Sequence, residues 1–107
     1  MRDEVLLEKY IAWAYREGLR VGEAWICRFE SNSKEALESM YKVLEECLQK
    51  DCLDSFCENV VRMYMQIKRP LSPVFLDAIY FRSLKKIAHA FLEGLREKLL
   101  GGVSHGY

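Results

Sequence analysis

Leu7, Ile11, Ala14, Gly18, Val21, Trp25 and Phe29 recur at steps of three and four residues through the first thirty positions. That spacing keeps every one of them on a single helical stripe. The stripe passes through Gly18 without losing phase. A parallel one, Ala12, Tyr15, Leu19, Gly22 and Ile26, takes in the second glycine. Each glycine costs a helix about 1 kcal/mol relative to alanine, which a wide apolar face outweighs. A small residue on a packing stripe also lets a neighbouring backbone come close. One long helix over 3–30 is therefore expected, not two short ones joined at a hinge.

The rest of the chain reads the same way. Ser33, before Lys34-Glu35-Ala36, is a good N-cap for a second helix ending near Lys50, with Leu37, Met40, Tyr41, Leu44, Cys47 and Leu48 inward. Asp51, with Asp54 three residues later, resembles a capping box for a third helix over 52–68. Its inner residues would be Leu53, Phe56, Cys57, Val60, Val61, Tyr64 and Ile67. Both prolines of the chain, Pro70 and Pro73, close that helix. Ser72-Pro73 then supplies an N-cap with proline in the first helical position. A fourth helix over 73–100 is expected, stopping at Gly101-Gly102, with Leu76, Tyr80, Leu84, Ile87, Phe91, Leu95 and Leu99 along its stripe.

Strand-type alternation is missing throughout, so the fold class is all-α: a four-helix bundle of long, short, short and long helices. At 107 residues it forms one domain over 1–102, with 103–107 as a flexible tail. Half of the residues are hydrophobic and thirteen are aromatic, which excludes a disordered chain. The middle helices cover only part of the outer ones, so completion by dimerisation is expected. The charged start and the lack of a long apolar run point to a cytoplasmic protein with no membrane partner.

Sixteen basic and sixteen acidic residues cancel overall, but unevenly along the chain. Residues 1–61 hold eight Lys/Arg against thirteen Asp/Glu, and residues 62–107 hold eight against three. Mutual compensation between helices is one reading. The other is an anion-facing surface for RNA or DNA, built from Arg62, Lys68, Arg69, Arg82, Lys85 and Lys86 of helices three and four.

Four cysteines, Cys27, Cys47, Cys52 and Cys57, lack the spacing of a zinc site. Buried thiols are one expectation, with Cys27 inside. A Cys47–Cys57 disulfide is the other, since both lie five residues from Cys52 at the turn of a hairpin. Intracellular disulfides belong mainly to hyperthermophiles, and the scarcity of Asn and Gln, four in all, is a thermophile trait.

Arg82, followed by Ser-Leu-Lys-Lys-Ile-Ala and His89, resembles the short motif of HEPN ribonucleases, which are small helical bundles. The resemblance implies metal-independent RNA cleavage, with Arg82 stabilising charge on phosphate and His89 moving a proton. It covers eight residues and lacks the polar residue that usually follows the arginine. A solvated helix face accounts for the same pattern. No phosphate loop, di-metal pair or nucleophile elbow occurs, and no cofactor is implied. The leading expectation is thus a non-enzymatic helical interaction protein. Its partner would be itself, another helical protein, or a larger assembly that includes nucleic acid.

Overall fold

The computed structural model describes residues 2–28, 33–75 and 84–104. Every regular element among them is helical, so the all-α class holds. Helix α1, Arg2–Arg28, runs unbroken through both glycines. It buries Ala14, Gly18, Val21 and Trp25, while Leu7 and Ile11 at its start are half-buried. Helices α2, Ser33–Gln49, and α3, Leu53–Gln66, form a hairpin, and α4 spans Leu84–Ser104.

The reason for Gly18 lies on α4. A Cβ placed there would overlap the carbonyl oxygen of Phe91 and come within 2.9 Å of the Gly94 Cα. The relation is reciprocal: a Cβ on Gly94 would overlap the Tyr15 carbonyl and lie 2.9 Å from the Gly18 Cα. Two backbones therefore cross in direct contact, close enough for Cα–H···O interactions. Four residues on, Gly22 faces Lys98 and Leu95, so α1 and α4 run parallel.

One expected element is not as the sequence reading had it: the single helix over 73–100. The rings of Phe75 and Phe91 meet edge-to-face with centroids 5.0 Å apart. A straight helix would separate these residues by about 24 Å. Residues 73–75 and α4 therefore do not belong to one straight helix. The start is as expected: residues 73–75 are helical, and the Val74 amide donates to Ser72 Oγ at 3.3 Å. No glycine or proline lies between Pro73 and Gly94 in the sequence, and the apolar periodicity stays in phase throughout. Nor do Gly101 and Gly102 end α4, which continues to Ser104. No described glycine takes the positive φ of a helix-ending position.

The α2–α3 turn is built differently from the expected capping box. Asp51 sits in the left-handed region at φ 58°. Its amide bonds to the Leu48 carbonyl at 3.1 Å, and that of Cys52 to the Cys47 carbonyl at 2.8 Å. These two bonds make a Schellman end to α2, and α3 has Cys52 as an N-cap with no side-chain bond. Lys68, at φ 56°, ends α3 in the same manner, with Lys68 N bonded to Met65 O and Arg69 N to Tyr64 O. Both positions favour glycine, and neither has one.

The core runs from Val21 and Trp25 through Leu37, Leu44, Phe56 and Val60 to Ile87, Phe91 and Leu95, with Met63, Val74, Phe75 and Ala90 added to the expected set. Val61 is exposed, contrary to expectation, and Met63 takes the inward place.

Gly18→Ala and Gly94→Ala should each lower stability by about 2–3 kcal/mol, the usual cost of overpacking, because the obstacle is backbone. Gly22→Ala should stay within about 1 kcal/mol of wild type: it meets mainly the Lys98 side chain and gains helix propensity. Urea denaturation of the three variants checks the order; equal losses would mean that the close crossing is absent. Lys68→Gly should raise stability by about 0.5–1 kcal/mol through relief of the left-handed conformation. Asp51→Gly should gain less, since aspartate tolerates that conformation better and the Lys85 ion pair would go.

Candidate functional site

On α1, Trp13, Arg16 and Arg20 follow at steps of three and four and share one face. Ser72, Pro73 and Val74 cross beside that face and close a groove of about 270 Å³ with Trp13, Arg16, Glu17 and Arg20. Arg20 also lines the adjoining groove toward the end of α1, with Glu23, Cys27, Arg28, Ile67 and Arg69. The two recesses share that arginine and lie end to end along the helix, a line we term the track.

The walls are held by specific bonds. Tyr64, 2% exposed, donates its hydroxyl to Glu17 Oε1 at 2.7 Å, tying α3 to α1. Burial raises the Tyr64 pKa far above its ordinary value, and the Glu17 carboxylate raises it further. The phenol therefore stays a donor. Arg28 donates its Nε to the Gln66 carbonyl at 3.2 Å, at the end of α3. Four N–H donors of that guanidinium are left for another acceptor. Arg69 leaves the left-handed turn at Lys68 with its amide on Tyr64 O.

Charge along the track is uneven. Its two carboxylates are engaged, Glu17 by Tyr64 and Glu23 by Lys98 at 3.7 Å. Arg16, Arg20, Arg28 and Arg69 make no salt bridge with another described residue. Trp13 is 53% exposed and meets Tyr10 edge-to-face, centroids 5.4 Å apart. An exposed indole among unpaired guanidinium groups is suited to hold an anionic partner that carries a flat group.

Of the five described basic residues expected to form an anion surface, Arg62, Lys68, Arg69, Lys85 and Lys86, only Arg69 lines this track. Lys85 pairs instead with Asp51 at 3.3 Å, at the α2–α3 turn. Lys68 and Arg69 stand at the opposite end of α3, about 20 Å away along its 14 residues. Arg62 and Lys86 are exposed on α3 and α4. Arg82 lies outside the described residues. Arg16, Arg20 and Arg28 escaped the sequence reading because they sit in the acidic half of the chain. Their common face was the available signal.

His89 is exposed on α4 beside a second shallow groove, with Tyr41, Glu45, Leu92, Glu93 and Arg96. Tyr41 donates to Glu45 Oε2 at 3.2 Å, and burial followed by the Glu45 charge raises its pKa. His89 has no hydrogen bond or ion pair to another described residue that would orient its imidazole. A general base needs such positioning. Among the described residues no three metal-ligating side chains gather, and no helix is long and apolar enough to cross a membrane.

All four cysteines are free thiols. Cys47 and Cys57 are half-buried and unjoined, whereas Cys27, expected inside, is exposed with Cys52. Burial raises the pKa of both Cys47 and Cys57. Since the thiolate is the reacting form, these two should need higher pH to be alkylated. Iodoacetamide on native protein at pH 7.5 should label Cys27 and Cys52 first, read by peptide mass. Preferential labelling of Cys47 or Cys57 would contradict the burial pattern.

No protein-family model, curated protein or solved structure matches this chain, so its function has to be argued from the groove itself.

Proposed function

We propose that the protein is a small non-enzymatic interaction protein, a subunit of a larger assembly, that holds an anionic partner in the groove along α1. The observation that carries this reading is Trp13, 53% exposed, in line with Arg16 and Arg20. Tryptophan, tyrosine and arginine are the residues that dominate binding energy at protein interfaces. Overall neutrality gives the chain no general attraction for polyanions, so binding must come from the local arrangement.

Retention on an immobilised polyanion such as heparin tests this directly. The wild type should be retained at low salt despite its formal charge of zero. The double variant Arg20→Gln/Arg69→Gln should elute with the flow-through. Equal retention of both would place the contact elsewhere and sink the reading.

Self-association over Leu6, Tyr10 and Trp13 is a second reading, favoured by their i, i+4, i+7 spacing and by the exposure of Leu6 and Trp13. It predicts a solution mass near twice the 12.6 kDa of one chain, reduced to a single mass by Trp13→Ser. A wild-type monomer at 100 µM would exclude it.

A further inference from the structure

We propose that the groove beside Trp13 is a binding track for single-stranded nucleic acid, with phosphates on Arg16, Arg20, Arg28 and Arg69 and a base stacked on the indole. The inference rests on the anionic-partner reading above and names the partner.

Three observations favour this class over an acidic protein. The first is geometry. From Trp13 to Arg28 the track follows α1 for 15 residues, about 22 Å, and Arg69 faces it from the end of α3. A linear polyanion fits a line of guanidinium groups better than a compact one does. The second is chemistry. Arginine forks match phosphate oxygens in a bidentate fashion, and Arg28 already has its Nε fixed on the Gln66 carbonyl, so its fork is oriented before any ligand arrives. The third is Trp13. Acidic side chains carry no flat apolar group, whereas every base presents a π-face to stack. Tyr10 packs against the indole at an interplanar angle of 85° and restricts how it can turn.

Single strands are required, because stacking on Trp13 needs an unpaired base. The groove also offers no helix for the major groove of a duplex: Glu17 and Glu23 interrupt the basic residues along α1. A short basic line next to an aromatic platform is how sequence-tolerant single-strand binders are built.

Fluorescence anisotropy with 5′-labelled 15-nucleotide oligo(U) and oligo(dT) at 50 mM salt tests the proposal on the full chain. Binding should weaken steeply with salt, since each phosphate contact releases counterions. Trp13→Ala should weaken it about ten- to a hundredfold, and Trp13→Phe much less. Arg20→Gln and Arg69→Gln should each lower affinity and flatten the salt dependence, while Lys42→Gln, whose ammonium is paired with Glu38 on α2, should leave it unchanged. The duplex of the oligo(dT) with its complementary strand should bind at least tenfold more weakly than the single strand. Trp25 is buried at 3%, so quenching of tryptophan emission on titration should vanish in Trp13→Phe.

Retention on heparin without oligonucleotide binding would overturn this inference and leave the anionic-partner reading standing. Loss of both would overturn both. Oligonucleotide binding that ignores Trp13→Ala and Arg20→Gln would overturn the location, and equal affinity for duplex would overturn the stacking. Circular dichroism of each variant separates loss of binding from loss of fold.

Discussion

Where α1 and α4 cross, Gly18 and Gly94 bring two helix backbones into contact with no side chain between them. Helices with ordinary side chains at the crossing sit 8–10 Å apart; here nothing holds them that far. The contact fixes the direction and the register of the pair at once. With Gly18 on Gly94 and Gly22 on Lys98, neighbouring positions along the two stripes follow in step. Val21 and Trp25 on one side, and Phe91 and Leu95 on the other, then close over α2 and α3. The ring of Phe75 packs against α4 without belonging to it. That ring, between Tyr64 and Phe91, fills the space beside the crossing.

The α1 helix was legible because its signal is redundant: seven apolar or small positions in phase outweigh two poor helix formers. The role of Gly18 as a place of close approach was legible too, but not its partner. Gly94 stands next to Leu95 and three residues after Phe91, on a helix whose large apolar residues dominate any periodicity reading. The helix ends failed for a physical reason. A Schellman end needs a left-handed residue, and Asp51 and Lys68 adopt that conformation without being glycine. A sequence reading that searches for glycine sees a soft boundary at the first and leaves the second to the following proline. The separation of residues 73–75 from α4 left no mark at all, since periodicity is blind to direction.

Charge misled for a related reason. Counting along the chain finds an acidic half and a basic half, yet the fold brings parts of them together. Lys98 reaches Glu23 and Lys85 reaches Asp51. Two of the basic residues in the C-terminal half are thereby matched with acids from the N-terminal half. Three arginines without such partners, Arg16, Arg20 and Arg28, lie on α1, inside the region that counts as acidic. Net charge per segment describes the chain, whereas a ligand meets a face. The acids of α1 point partly elsewhere: Glu17 toward Tyr64 and Glu23 toward Lys98. What is left between them is the line from Trp13 to Arg28.

The groove and the fold share the same ties. Tyr64 holds Glu17 through its hydroxyl and receives Arg69 through its carbonyl, so one core residue fixes a wall of the groove and a cation that lines it. Burial keeps that hydroxyl protonated at any pH at which the protein would be handled, and the tie therefore does not loosen by titration of the phenol. The Arg28–Gln66 bond closes the other end. A surface of long flexible arginines normally loses much of its binding energy to the ordering of side chains. Here part of that ordering is done by backbone geometry, the left-handed turn at Lys68 and the carbonyls at the end of α3. Substitution of Tyr64 would then disturb the groove without removing a single charge from it. In this protein the end of α3 and the wall of the groove are held by the same bonds.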